Sequence, residues 1–412
     1  MGKKRKPELL APAGGWEQLF YAIHFGADAV YLSCDKFGLR ARAANFALDE
    51  LPRVVHMAHD AGVRVYVTCN AYAHDDDLED LPRYARAMQD AGVDAAIVSD
   101  LGVMAVISRY APALALHVST QASVSNAEAA LAWCSLGARR IVCAREMSCD
   151  EIVALRAALP DDVEIEVFVH GAMCMAISGR CLISDYLTGR PANKGHCTQP
   201  CRWEYSLRES SRPDEEFSLE QDEGGSYVFN SKDLNMLAHL DALAEAGVDS
   251  IKIEGRVKKA FYVATVVNAY RHVLDGEDPS SWAGELETMS HRPYSTGFYF
   301  GDAEQSVDAD VYVQRYDWVG EVLNAGESVE GGYRIRCRCR NRFYAGDELE
   351  VLSPHREVRR IVVADLAEVF DGEEVPSPVA SRAMGEFSFT CPCRLAPHDI
   401  LRVRRKDPSR KN

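Results

Sequence analysis

The sequence predicts an α/β protein: a (β/α)8 TIM-like barrel followed by a small C-terminal antiparallel β-barrel domain. Three observations carry that reading. Short apolar strands alternate with amphipathic helices from residue 8 to about residue 264. The phrase Ala-Gly-Val recurs at 61–63, 91–93 and 246–248, where Gly suits a helix end and the next apolar residue opens a strand. From about residue 310 the texture changes to short alternating runs separated by Gly-rich turns. Repeated βα units require a parallel sheet, and eight or so in one run favour a closed barrel over an open doubly wound sheet.

Strands are expected at 8–11, 27–33, 63–69, 94–99, 114–119, 138–143, 163–169, 227–230 and 249–254. Helices are expected between them at 16–25, 49–61, 78–91, 127–136, 149–158 and 234–246, with another at 260–274. Residues 212–225 are acidic and read as a solvated loop. The later strands fall at 311–315, 318–323, 333–339, 347–352, 358–363, 386–391 and 400–404. The domains are therefore expected at 1–305 and 306–412, consistent with a length of 412 residues that one core rarely serves.

Composition narrows the function. The chain is 47% hydrophobic and 26% charged, ordinary for a globular protein, and its net charge of −16 argues against a general nucleic-acid coat. No apolar run reaches membrane-spanning length, and the N-terminus lacks the apolar core of an export signal. Thirteen cysteines in such a chain point to a reducing cytoplasm. The dinucleotide fingerprint, phosphate loop, HExxH and GxSxG motifs are all missing.

Residues 168–205 hold Cys174, Cys181, Cys197 and Cys201 just past a strand end. Three explanations compete. An iron–sulfur cluster takes four thiolates at loose spacing. Zinc suits the close Cys197/Cys201 pair but not the wider Cys174/Cys181 pair. Ordinary packed thiols are the plainest account. The Cys337/Cys339 and Cys391/Cys393 pairs resemble a second metal site, but alternation along strands makes core packing the favoured reading.

Strand parity selects the residues that face the barrel interior. Ile251 and Ile253 turn outward, so Lys252 and Glu254 point inward and Arg256 sits at the rim. The same logic turns Glu166, Phe168 and His170 inward, with His117, Ser119 and Gln121, then Tyr66, Thr68 and Asn70, then Tyr31 and Ser33. An ion-paired structural layer, Lys252 with Glu254 or Glu166, explains part of this set equally well. Arg40, Arg42, Arg180, Lys252 and Arg256 together make a basic mouth for an anionic small molecule or a phosphate backbone.

Several segments are recognisable. ELLAPAG, LRARAANF, STQASVSN, EVFVHGAMC with its GRC, CTQPCRWEY, NSKDL and SIKIEGR resemble the U-32 peptidase family, the collagenase-like group, over most of the chain. GRCLISDYLTGRPANKGHCTQPCRWEY, the SKDL followed by Asn235 rather than by cysteine, and NRFYAGDELEVLSP are most similar to its tRNA 5-hydroxyuridine branch. The resemblance implies oxygen-independent hydroxylation of the wobble uridine at C5, with prephenate as donor. It also implies a 4Fe–4S cluster on Cys174, Cys181, Cys197 and Cys201, zinc being the alternative, and a tRNA anticodon loop as partner. The candidate catalytic residues are then Lys252, Glu254, His117 and His170. Arg42, Arg180, Arg256, Gln121 and Tyr186 are the candidate substrate-binding residues, with Tyr186 or Trp203 stacking on a splayed base. A peptidase, or a hydroxylase of ribosomal RNA or of a quinone precursor, stays open as the alternative.

Overall fold

The structure, a computed structural model, describes residues 6–40, 43–174, 176–177, 179–203, 206–208, 216–218, 231–303 and 313–405. Eight parallel strands run β1 (Glu8–Pro12), β2 (Ala29–Leu32), β3 (Arg64–Cys69), β4 (Ala95–Val98), β5 (Ala115–Val118), β6 (Arg140–Val142), β7 (Glu164–Ala172) and β8 (Ser250–Ile253). Each pairs with the next in chain order, and β8 pairs with both β7 and β1, which closes the barrel. Every one of the eight coincides with an expected strand. The ninth, at 227–230, lies outside the described residues.

Alternation explains why these segments sit as they do. Ile251 and Ile253 of β8 are fully buried in the layer between strands and helices, while Lys252 between them faces the interior. Each such apolar side chain contributes about 1.5–3 kcal/mol on burial. The glycines of the three Ala-Gly-Val phrases take φ of +73° at Gly62, +79° at Gly92 and +80° at Gly247. They end the helices Leu51–Asp60, Leu81–Asp90 and Leu240–Glu245 in a left-handed turn that disfavours a β-carbon.

Several elements depart from the sequence reading; the strand expected at 311–315, for one, is absent over the described residues 313–315, where Val313 makes only an isolated bridge to His291. The helix expected at 234–246 starts only at Leu240, because Asp233–Asn235 forms a short strand antiparallel to the end of β7. Its anchor is an ion pair: the buried Asp233 carboxylate accepts from Arg292 Nε at 3.0 Å and Nη2 at 2.8 Å. A further helix, Leu101–Tyr110, links β4 to β5 and is capped by Asp100 Oδ1, which accepts from the Val103 amide at 2.9 Å.

From Tyr316 onward the chain forms an antiparallel sheet of nine strands, beside a two-stranded ladder of Phe343–Tyr344 with Val379–Ala380. Its edge strands, Arg359–Val362 and Glu373–Pro376, do not pair with each other, so the small barrel is a half-barrel. Cys337, Cys339 and Cys391 are buried in its apolar core beside Ile335, Phe387 and Phe389. Buried Arg402 fastens this domain to the first, with Nη1 and Nη2 donating to Glu285 at 2.8 and 2.7 Å and Nη2 to Glu350 at 2.8 Å. Among the described residues no helix is long and apolar enough to cross a membrane.

Candidate active site

The barrel interior is built in rungs, because inward side chains of neighbouring strands meet at the same height. At the N-terminal end Arg140 Nη1 donates to Glu8 Oε1 at 2.7 Å and to Glu166 Oε2 at 2.9 Å. Glu8 also accepts from Tyr66 OH and Ser250 Oγ, each at 2.8 Å, and pairs with Arg64. One rung higher, Lys252 Nζ donates to Glu166 Oε1 at 2.8 Å. Arg140, Glu166 and Lys252 are all buried, so the interior holds a column of alternating charge. Such a column is tolerable only while every member is paired. Burial pulls the Lys252 ammonium below its ordinary value, and the Glu166 carboxylate opposes the shift.

Above the column, at the C-terminal strand ends, lies a narrow cleft with room for about 40 Å³. Tyr31, Thr68, Asn70, Ser119, Gln121, Phe168, Lys252 and Glu254 line it, together with the guanidiniums of Arg40, Arg145 and Arg256. Arg40 holds a left-handed backbone, φ +72°, and donates to Glu254 Oε1 through Nε at 3.2 Å and Nη2 at 3.0 Å. Burial works against the Glu254 charge, but Arg40, Arg145 and Arg256 prevail and hold its carboxyl at about 2. Tyr31 OH donates to the Ile253 carbonyl at 2.9 Å, and the face of its ring lies 4.4 Å from the Lys252 ammonium. Arg256 Nη1 donates to Thr68 Oγ1 at 3.3 Å, and burial draws its guanidinium down to about 10. Arg145 stacks 4.1 Å over Phe168 and donates through Nη1 to the Ala172 carbonyl at 3.0 Å.

The cysteine-bearing segment lies against this mouth. A β-carbon on Gly179, φ +82°, would stand 2.4 Å from the Gln121 carbonyl oxygen, so only glycine permits the approach. The Tyr72 amide donates to the Asn193 carbonyl at 2.9 Å, and Lys194 pairs with Asp77 at 3.1 Å. Ser184 Oγ ties the segment internally, donating to the Arg190 carbonyl at 2.7 Å and accepting from the Thr198 amide at 3.0 Å. Cys174 is exposed, Cys181, Cys197 and Cys201 are half-buried, and all four are free thiols. As donors they suit a cluster or zinc. Their spacing does not: among the described residues no three His, Cys, Asp or Glu side chains are grouped as around a metal ion.

The expected site residues divide accordingly. Lys252, Glu254, Arg256 and Gln121 meet in the cleft. His117 faces inward but stops a rung short, its ring edge-on to Tyr66 at 4.8 Å, and burial drives its pKa well down. His170 does not face the cleft. Its ring packs among Tyr262, Tyr270 and Tyr294 at centroid distances of 6.0, 5.6 and 5.4 Å. The cause is a register shift, in which Lys252 pairs with Phe168 but Ile253 pairs with His170, so the alternation breaks there. Arg180 is exposed beside Gly179, and Tyr186 is 90% exposed on the short helix Ile183–Thr188; neither lines the cleft. Arg42 lies outside the described residues. Arg145 was not among the candidates, although its place just after β6, at the C-terminal strand end, is where a barrel puts functional side chains.

Comparison with known proteins agrees in outline. The chain is 40% identical over 364 residues to a protein of Bacillus subtilis named tRNA hydroxylation protein P1, covering 86% of this chain and 85% of that one. It is 34% identical over 401 residues to tRNA hydroxylation protein P of Escherichia coli, with 86% and 87% covered. A Porphyromonas gingivalis protein named Collagenase is 34% identical over 312 residues, with 71% and 73% covered. The family model for peptidase family U32 matches residues 14–309, and that for its C-terminal domain matches residues 314–402. By both matches and by these relatives, the chain belongs to peptidase family U32.

Proposed function

We propose that this protein hydroxylates the wobble uridine of tRNA at C5, without molecular oxygen, in the cytoplasm. The observation that carries the reading is the extent of identity, 34–40% over 86% of the chain, to proteins named for tRNA hydroxylation. The cleft is in keeping with it: four cationic side chains suit an anionic donor, here prephenate, and the Asn70 and Gln121 amides suit the polar edge of a base. Tyr186 and Trp203, exposed on the cysteine segment, offer stacking faces to an anticodon loop. Cys174, Cys181, Cys197 and Cys201 are the donors for a 4Fe–4S group, which when bound supplies redox and Lewis-acid chemistry; zinc on the same thiols would only order the segment. Lys252, fixed by Glu166, keeps a proton at Nζ facing the donor, and Glu254 with Arg40 forms the opposite wall. Peptidase chemistry finds less support. Ser119 and Thr120 line the cleft, but no His or Cys among its lining residues is placed to activate them.

The test is tRNA nucleoside mass spectrometry on a deletion strain complemented with wild type or Cys174→Ala. Loss of 5-hydroxyuridine, restored by wild type alone, is the expected result. An anaerobically purified brown protein that leaves tRNA unmodified in the presence of prephenate would overturn the reading.

A further inference from the structure

The C-terminal domain holds a thiol pair that neither the cleft nor the cysteine segment uses. Cys391 ends the strand Glu386–Cys391, and Pro392 and Cys393 then turn the chain at the surface. The pair is asymmetric. Cys391 is 2% exposed and sits in the apolar core, whereas Cys393 is half-buried at its edge. Cys391 Sγ donates to the Cys393 carbonyl at 3.0 Å, and the two thiol side chains are hydrogen-bonded to each other. Burial pushes the Cys391 thiol up to about 11, so it keeps its proton at neutral pH. Arg359 stands beside the outer sulfur. Its Nη1 donates to Cys393 Sγ at 3.9 Å and to the Arg394 carbonyl at 3.1 Å. Its Nη2 donates to Ser353 Oγ at 3.3 Å and to the buried Asp399 carboxylate at 3.5 Å, which fixes the guanidinium from the far side.

Core packing accounts for Cys337 and Cys339, both buried on one face of their strand. It does not account for a half-buried sulfur that accepts from a cation and touches a second thiol. A metal site is not favoured either, since no third His, Cys, Asp or Glu joins the two sulfurs in a metal-like group among the described residues. An accessible sulfur beside a guanidinium, backed by a buried protonated thiol, is the arrangement in which the first sulfur attacks and the second resolves.

We propose that Cys391 and Cys393 are a dithiol that a peroxide closes reversibly into a disulfide, with Cys393 as the attacking sulfur and Arg359 as its positioning residue. Neither tRNA nor the four-thiol segment enters this step. The Cys393 sulfur attacks one oxygen of hydrogen peroxide: an S–O bond forms, the O–O bond breaks, and the other oxygen leaves as water with the thiol proton. The Cys391 sulfur then attacks the Cys393 sulfur. An S–S bond forms, the S–O bond breaks, and hydroxide leaves as water with the Cys391 proton. Two electrons pass from the dithiol to the peroxide. Pro392 restricts the turn and holds the two sulfurs close beforehand. A ring closed over a single residue is strained, which leaves the bond easy to reduce again.

The test exposes the anaerobically purified full-length protein to graded hydrogen peroxide, denatures it in iodoacetamide and follows its tryptic peptides by mass spectrometry. Residues 383–394 form one such peptide, which carries Cys391 and Cys393 and no other cysteine, so the four-thiol segment does not enter the readout. In wild type both thiols are expected to escape alkylation together, in a peptide two hydrogens lighter, and to return with dithiothreitol. In Cys391→Ser the outer sulfur is expected to stop at the sulfenic acid, trapped by dimedone. Arg359→Met is expected to react about tenfold more slowly and Arg359→Lys close to wild type, with thermal melts confirming that each variant is folded. Three results would each overturn the proposal. One is a wild-type peptide that stays fully alkylatable at peroxide levels that oxidise glutathione. Another is Cys391 joined to the peptide of Cys337 or Cys339 instead. The third is an unchanged rate in folded Arg359→Met.

Discussion

Glu166→Gln tests the buried charge column directly. Glu166 is fully buried and accepts from Lys252 Nζ at 2.8 Å and from Arg140 Nη1 at 2.9 Å. Glutamine keeps the shape but removes the charge, and one of its ends presents N–H groups to a cation. Each charge-assisted bond is worth about 1.5–3 kcal/mol, and breaking a buried pair costs about 3–5 kcal/mol. We therefore expect urea unfolding, followed by far-ultraviolet circular dichroism, to show about 3–5 kcal/mol lost. Removing both ends of one link, Glu166→Leu with Lys252→Met, should cost less than the single change, since Arg140 keeps Glu8 and Glu164. A loss below about 1 kcal/mol for Glu166→Gln would show that the pairs are not dehydrated, and the argument for the column would fail.

Three further outcomes are expected. Burial holds the His170 imidazole down to about 3, while the unfolded ring takes its proton near its ordinary value of 6.5, so the unfolded state binds more protons between these values. Stability should thus be complete above pH 6.5 and fall by up to about 5 kcal/mol as pH drops to 3, and His170→Phe should flatten that limb in urea titrations at pH 7, 5 and 4. An equally steep limb in the variant would refute the assignment. Gly179→Val forces a β-carbon against the Gln121 carbonyl, so hydroxylation should fall at least about tenfold while the melting temperature moves by less than about 2 °C. Full activity in that variant would mean that the segment need not touch the mouth. Asp233→Ala removes the buried carboxylate that accepts from Arg292 and should cost about 3–5 kcal/mol in the same urea assay, where a change under 1 kcal/mol would count against the anchor.

The barrel was legible because its signals are local: apolar alternation sets each strand, and Gly at a helix end sets each turn. Lys252 and Glu166 followed from the same parity, and the structure shows them as partners, so the ion-pair reading of that couple holds alongside its place at the cleft. Parity failed at His170, where one skipped residue between Phe168 and His170 reverses the face, and nothing in FVHGA announces a bulge. Arg145 escaped notice because its loop has no period to follow; only its position after β6 could have flagged it. Arg180 and Tyr186 belong to a segment of turns and short helices, where sequence spacing carries no direction. The strand at Asp233–Asn235 depends on pairing with residues far back in the chain, which no local pattern encodes.

That short strand has a wider consequence. The chain leaves the barrel after Ala172 and returns at Asp233, and these two residues are paired neighbours. The described parts of 173–232 therefore belong to an insertion whose ends pair with each other, and which also touches the barrel mouth at Asn193, Lys194 and Gly179. The pairing of Ala172 with Asp233 holds the departure and return points of the insertion together at the end of β7.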